Sequence, residues 1–326
     1  MKIWALVDSR IGSSKQTESL AYALSSDVSI KRIEYNKFIC IPNFLRFKKA
    51  GIDFSKSSEL LVQEKNVPDM IIFGGRRLAG LALYLQSRYK RKFNKNIKLV
   101  SILNPNYSFK KFDYVVLPAH DSVNFEKYNN IIKINGSICK IDDTKLQNEM
   151  NAWHDELKDF KRPYYVFMVG GDIKNRKFNA EKLGVLINNL SKKINEINGT
   201  LFISTSRRTS KECIEAIKQN LKCLNYFYEW NKKSIKNPYY AFLANSDVMI
   251  ITGDSISMIS ESLTIKKPTF IYAPDDSVDE KHMKFIDNLV NEQLIKIIDE
   301  NADDIEAFTT KGLNELEKVK NNILGR

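Results

Sequence analysis

The chain has 326 residues, of which 43% are hydrophobic and 28% charged, with 51 Lys+Arg, 39 Asp+Glu and a net charge of +12. That length suits two α/β domains of ordinary size, the balance excludes a disordered chain, and no apolar run reaches the roughly 18 residues that span a bilayer. The charge is lopsided: residues 1–150 carry 25 basic and 14 acidic side chains, residues 151–326 carry 26 and 25.

In chain order, residues 3–7 read as a first strand, not a signal peptide, because charge interrupts the apolar run at once. Residues 16–24 have helical periodicity, 30–34 a short strand, 57–65 a helix and 68–73 another strand. Residues 77–89 read as a helix, and 99–103, 114–117 and 131–134 as strands. Residues 142–160 form a connecting helix. A second series follows: strand 164–169, helix 180–195, strand 201–204, helix 211–221, strand 226–228, helix 239–245, strand 248–251, helix 257–264 and strand 269–272. Helices over 279–290 and 303–321 close the chain. Alternation of this kind predicts parallel sheets covered on both faces. The fold class expected is therefore α/β, with two Rossmann-like doubly wound domains, residues 1–150 and 151–326, the last helix of the second being a candidate to pack back on the first.

Parallel sheets bind ligands outside the carboxyl ends of their strands, which directs attention to the residues after each strand. In the first domain, Asp8, Arg10, Gly12 and Gln16 follow the first strand, without the G-x-G-x-x-G fingerprint of dinucleotide binding. His120 and Asp121 follow the strand over 114–117. Imidazole suits proton transfer near neutral pH, although neighbours in sequence need not face one another and a structural histidine fits as well.

In the second domain, Gly170, Gly171 and Asp172 follow a buried strand, and glycines there permit close approach of a ligand. Lys174, Arg176 and Lys177 make the next segment basic. Ser206, Arg207, Arg208 and Thr209 lie between a strand and a helix, where guanidinium forks and free N–H groups suit a diphosphate. A capped helix with solvated arginines is the plainer alternative. Gly253, Asp254, Ser255 and Ser257 open the helix over 257–264, and Glu261 lies about one turn further on, placed to accept from ribose hydroxyls.

Four cysteines, Cys40, Cys139, Cys213 and Cys223, lack metal-ligand spacing and fit a reducing, cytoplasmic location. Asp275 and Asp276 are a loop pair and not a strand-end D-x-D motif, so no metal is expected. Residues 35–49 interleave aromatic and basic side chains. Together with the basic first half they suit either an inward-packing loop or peripheral contact with an anionic membrane at the inner face of the cytoplasmic membrane. No nucleic-acid module is recognisable, so nucleic acid is not expected as a partner.

These residues also fall into motifs: W-x-L-x-D-x-R-x-G-x-x-x-Q-x-x-x-L-A over residues 4–21, P-D-x-x-x-x-x-G-R-R over 68–77, and F-D-x-V-x-x-P-x-H-D over 112–121. G-G-D over 170–172, S-R-R-T over 206–209, N-P-Y over 237–239 and T-G-D-S-x-S-M-x-S-E over 252–261 complete the set. In this order, over most of the chain, they resemble the mitochondrial-fission Elm-like family. Gly74 before Gly75 departs from the family pattern, where an apolar or small residue is expected.

The resemblance implies a GT-B fold with an interdomain cleft, a nucleotide-sugar as substrate and no separate cofactor. It puts the donor on the second domain (Gly170, Gly171, Asp172, Ser206, Arg207, Arg208, Thr209, Gly253, Asp254, Ser255, Ser257, Glu261). The acceptor, an anionic glycolipid or polysaccharide of the cell envelope, falls to the first (Arg10, Gly12, Gln16, Asp121), and Asp8 or His120 is the candidate base. The activity expected is metal-independent glycosyl transfer. A non-catalytic membrane-associated adaptor of the same fold and a sugar-nucleotide epimerase are the alternatives.

Overall fold

The computed structural model describes residues 1–40, 51–53, 55–56, 66–173, 176–231, 236–274 and 277–325. The helix expected over 57–65, most of the aromatic–basic stretch over 35–49, Lys174, and the pair Asp275 and Asp276 lie outside the described residues.

Among the described residues, contacts divide the chain into two units, Met1–Lys140 with Asn314–Arg326, and Ile141–Leu313. The first unit holds β1 (Ile3–Val7), α1 (Ile11–Leu24), β2 (Val28–Arg32), β3 (Met70–Gly74), α2 (Arg76–Phe93), β4 (Lys98–Ile102), β5 (Tyr114–Pro118) and β6 (Ile131–Ile134). Its strands pair in parallel in the order β2-β1-β3-β4-β5-β6. Every residue of β1 and β3 is buried, as a parallel sheet covered on both faces requires. One face packs on α2, with Trp4 edge-to-face on Tyr89 at 6.0 Å between centroids. The other packs on Leu20 and Ala21 of α1.

The second unit holds α3 (Asp143–Ala152), α4 (His154–Leu157), β7 (Tyr164–Val169), α5 (Ala180–Glu196), β8 (Thr200–Thr205), α6 (Lys211–Asn220) and β9 (Asn225–Tyr228). It continues with α7 (Tyr239–Asn245), β10 (Val248–Thr252), α8 (Ile256–Thr264), β11 (Thr269–Tyr272), α9 (Glu280–Asn291) and β12 (Lys296–Ile298). The order β12-β11-β10-β7-β8-β9 is again wholly parallel. Helices α5 and α6 cover one face, and α7, α8 and α9 the other.

Both sheets are doubly wound, so each has a point where the strand order reverses. It lies between β1 and β3 in the first unit and between β7 and β10 in the second. These are the places where such sheets receive ligands.

Three expectations need correction, and one strand was not expected. Helix α1 begins at Ile11, five residues before the apolar periodicity. Ile11 is 68% exposed, so the first turn shows no core-facing pattern, yet Ser14 Oγ ties it to strand β1 by donating to the Asp8 carbonyl at 2.9 Å. The connecting helix breaks at Trp153 into α3 and α4.

The helix expected over 303–321 forms only as α10 (Glu315–Leu324). Before it, tertiary partners take the backbone groups that a helix would use. Tyr165 donates to the Ile305 carbonyl at 2.8 Å, and Leu313 N–H donates to the Leu263 carbonyl at 3.0 Å. Gly312 sits at φ +70°, where a side chain is strained. Helix α10 then returns to the first unit, burying Val319 and Ile323 against the sheet beside α1. Strand β12, three residues at a sheet edge, has no expected counterpart, being too short for a pattern.

Candidate functional site

In the second unit the loops after β7, β8 and β10 close on one another at the reversal point. Thr252 accepts from Gly170 N–H at 2.7 Å. Asp254 accepts from Gly171 N–H at 3.2 Å. Ser206 Oγ donates to the Gly170 carbonyl at 2.8 Å, and Thr209 Oγ1 donates to the same oxygen. Asp172 N–H donates to the Arg208 carbonyl at 3.2 Å.

The glycines are needed for this closeness. A Cβ on Gly170 would overlap the Asp254 carboxylate, and one on Gly171 would overlap the Arg208 carbonyl. Gly253 is hemmed in as well, with a Cβ there meeting Ala273 at 2.7 Å and Ile286 at 2.8 Å.

The charged groups of this knot have separate places. Asp254 has a fully buried side chain, and Arg208 pairs with it at 2.6 Å while remaining 35% exposed. Burial pushes the Asp254 carboxyl up from its ordinary value, against the opposing pull of Arg208. Arg207, by contrast, is exposed to solvent. The two arginines of the S-R-R-T motif are therefore not equivalent.

The Ser206 and Thr209 hydroxyls hold the Gly170 carbonyl, and Asp172 accepts from Phe178 N–H at 2.8 Å. Helix α6 is capped by Ser210, which accepts from Cys213 N–H at 3.2 Å. Helix α8 is not: its N-cap, Ser255, makes no side-chain cap bond, and no acid occupies the first turn. Its first-turn N–H groups therefore have no side-chain cap, and the buried acid of the adjoining knot, Asp254, is paired with Arg208.

Ser257 is exposed in that first turn, and Glu261 is half-buried further along the same helix. One Glu261 carboxylate oxygen accepts from the Tyr239 hydroxyl. Tyr239 belongs to the N-P-Y motif but carried no site expectation. Its signal was the motif itself, since an aromatic hydroxyl after a proline turn offers no charge or glycine pattern. Thr252 heads the T-G-D-S motif without a site expectation of its own, and in the structure it is the last residue of β10.

In the first unit the reversal point holds Asp8, whose side chain is only 1% exposed. Its carboxylate accepts from Arg10 Nε at 2.8 Å and Nη2 at 2.6 Å, and from the Tyr35 hydroxyl at 2.6 Å. Arg10 also donates to the Gly74 carbonyl at 3.1 Å. Burial pushes the Asp8 carboxyl up, but the hydrogen bonds from Arg10 and Tyr35 outweigh it and hold it below its ordinary value. Burial and the bond to Asp8 push the Tyr35 phenol up.

A carboxyl depressed in the folded state stabilises above its unfolded pKa and loses that contribution as pH falls through the folded value. Asp8→Asn should therefore lower the melting temperature near neutral pH, with the gap to the parent protein narrowing below about pH 4. Melting curves across that window check it.

Gln16 is buried and accepts from Ile138 N–H at 3.1 Å, binding α1 to the chain after β6. Gly12 is exposed and open. His120 is buried and Asp121 half-buried after the end of β5. Thus the structure gathers Gly170, Gly171, Ser206, Arg208, Thr209 and Asp254 directly, and joins Asp8 to Arg10. Gln16 serves instead to fasten a helix, and Gly12 stands clear of its neighbours.

Residues 11–326 match the family described as mitochondrial fission ELM1. The chain belongs to this family. Among the relatives of this ELM1-family chain, the uncharacterized protein RP120 of Rickettsia prowazekii (strain Madrid E) is 33% identical over 98% of this chain and 96% of its own length. Mitochondrial fission protein ELM1 of Arabidopsis thaliana is 26% identical over 65% of this chain and 53% of that protein.

Among solved structures, UDP-GlcNAc 2-epimerase from Methanocaldococcus jannaschii aligns with a TM-score of 0.58 at 14% identity, covering 100% of this chain and 99% of that one. Acinetobacter baumannii MurG aligns at 0.50 and 11% identity, covering 100% and 90%. At such identity the likeness establishes the fold, which is of the GT-B type, and not the reaction. No helix of the described residues is long and apolar enough to cross a membrane.

Proposed function

We propose that this ELM1-family chain binds a nucleoside-diphosphate sugar on its second unit and transfers the sugar to a cell-envelope glycolipid or polysaccharide. The observation that carries this reading is the uncapped N-terminus of α8 beside the knot of Gly170, Gly171, Arg208 and Asp254. It is supported by the shared fold with UDP-GlcNAc 2-epimerases, one of which was solved bound to UDP-GlcNAc.

In this reading the diphosphate lies against the α8 N–H groups and Ser255, with Arg207 closing over it. Glu261, oriented by Tyr239, accepts from the ribose hydroxyls. The acceptor oxygen forms a bond to the anomeric carbon. The bond from that carbon to the donor phosphate oxygen breaks, and its electron pair leaves on the diphosphate. Arg207 and the helix terminus stabilise the charge that develops there, without a metal. We assign the acceptor proton to His120 and not to Asp8, whose carboxylate already accepts four hydrogen bonds, from the Arg10 backbone N–H, Nε and Nη2 and from the Tyr35 hydroxyl.

A second reading has its own observation. Arg208 and Asp8, the most sharply placed charges at the two reversal points, are paired within the protein. A GT-B scaffold that serves as an adaptor without turnover would keep such pairs.

Thermal-shift and calorimetric titration with UDP, GDP, ADP and their sugars separates these readings. Binding raises the melting temperature by about 2–4 °C per kcal/mol of linked free energy. Arg207→Ala should weaken binding about tenfold to a hundredfold through loss of a charged hydrogen bond, about 1.5–3 kcal/mol. Glu261→Ala should weaken it about tenfold or more, with sugarless diphosphates affected as much as their sugars. His120→Ala should keep binding and abolish transfer. No uptake of any nucleotide by the parent protein removes the enzyme readings. Isomerisation of the sugar without acceptor replaces transfer by epimerisation.

A further inference from the structure

We propose that the edge of the first unit where strands β3 to β6 begin is a docking surface for a membrane rich in anionic phospholipid headgroups. The sheet register brings these strand starts side by side: Met70 lies opposite Lys98, Val100 opposite Tyr114, and Val115 opposite Ile131. The segments that lead into them therefore share one edge, opposite the carboxyl ends that hold Asp8 and Arg10. Asn130 ties two of these segments together by donating to the carbonyls of Phe109 at 2.9 Å and Phe112 at 2.8 Å.

The segments leading into β4, β5 and β6 deliver cations to this edge. Helix α2 ends in Lys90, Arg91 and Lys92. Lys98 opens β4, Lys110 and Lys111 precede β5, and Lys127 precedes β6. The acids among them are fewer. Asp69 is engaged by Lys95 at 3.0 Å, Asp113 accepts from Leu99 N–H at 2.8 Å, and Glu126 is exposed. Among the described residues, Lys92, Lys98, Lys111 and Lys127 have no ion-pair partner, so their charge is presented outward.

Three of these lysines lie over half-buried aromatic rings. Lys92 is 4.9 Å from the Phe93 centroid, Lys111 is 5.7 Å from Tyr107, and Lys127 is 6.0 Å from Tyr128. Phe109 and Tyr128 meet edge-to-face at 5.1 Å, joining neighbouring segments into one strip. A favourable helix dipole accounts for the basic end of α2. It does not account for Lys98, Lys111 or Lys127, which open or precede strands; of the rings beneath the lysines, Phe93 and Tyr107 also pack inward on the hydrophobic core.

Aromatic bodies at headgroup depth with lysine stems along them and ammonium heads outward suit a planar anionic interface. Duplex nucleic acid fits less well, since the edge offers mainly lysine point charges and few guanidinium forks to read phosphates in pairs. This surface is built from residues of the first unit alone and does not depend on the donor-site reading.

Cosedimentation of the full chain with vesicles of phosphatidylcholine, with and without phosphatidylglycerol, tests the proposal. The parent chain should bind only the anionic vesicles, and added salt should release it. Changing Lys92, Lys98, Lys111 and Lys127 together to Gln should weaken partitioning about fivefold per lysine, hence by about several hundredfold. A control in which Lys182, Lys192, Lys222 and Lys284 become Gln has the same charge change in the other unit and should bind as the parent does. If the first set unfolds, the pairs Lys92 with Lys98 and Lys111 with Lys127, changed separately, report in its place. The proposal fails if anionic vesicles do not retain the parent chain or if both quadruple variants weaken equally. Tighter retention by duplex DNA, lost in the same variant, would overturn it in favour of nucleic acid.

Discussion

Arg208→Ala is expected to lower folding stability by about 3 kcal/mol, the low end of the cost of leaving a buried charge unpaired. The low end applies because Arg208 is itself 35% exposed, so water enters the space it vacates. The loss should depend on pH. Burial already raises the Asp254 carboxyl, and removing the guanidinium raises it further. A carboxyl raised in the folded state stabilises only while protonated, and that contribution fades as pH climbs through the folded value. The defect should therefore be largest at neutral and alkaline pH and shrink on acidification. Adding Asp254→Asn to Arg208→Ala should restore most of the stability, because the buried charge is gone. Denaturant melts of the two single variants and the double variant, compared as a cycle, measure the coupling. A flat pH response with no coupling would show that Arg208 holds nothing in the unliganded protein. Arg207→Ala serves as the reference, since an exposed arginine should change the melt by less than about 0.5 kcal/mol.

Gly171→Ala carries the next largest effect. The added Cβ overlaps the Arg208 carbonyl carbon and oxygen, which are backbone atoms and cannot swing aside like a side-chain tip. Strain of this kind costs about 1–3 kcal/mol. It should also break a pair of hydrogen bonds in the loop knot, Gly171 N–H to Asp254 and Asp172 N–H to the Arg208 carbonyl. Nucleotide response should fall with stability, because the loops after β7 and β8 can no longer approach. Gly12→Ala is the contrast. A Cβ at Gly12 meets nothing within 4 Å, and the position is the second residue of α1, where alanine is the better helix former by at most about 1 kcal/mol. Thermal melts of the two variants should shift in opposite directions. A Gly171→Ala protein as stable as the parent would show that the two loops separate freely.

The separate fates of Arg207 and Arg208 show where sequence reading stops. Both follow a strand, both are arginines, and any local rule treats them alike. Which one neutralises a buried acid depends on Asp254, which lies 46 residues later in the chain. The same holds at the other reversal point, where Asp8 looked like a free base. Tyr35, 27 residues on, and Arg10 fill its carboxylate. Gln16 carried a ligand expectation, yet its amide reaches Ile138, 122 residues away.

Amino-acid order alone dictates the α/β alternation, most of the strands and the strand ends where a site belongs. Strands buried on both faces must be unbroken apolar runs such as residues 164–169, which coincide with β7, and a parallel sheet sets its ligand edge by direction alone. Which polar groups satisfy one another, and which stay open to a ligand, is settled only once the chain has packed. Charge pairing depends on distance through space, and a chain folded into parallel strands brings together loops that local pattern cannot relate. The same reason explains the last helix: residues 303–314 have helical character on paper, but partners at Tyr165 and Leu263 claim their backbone groups first.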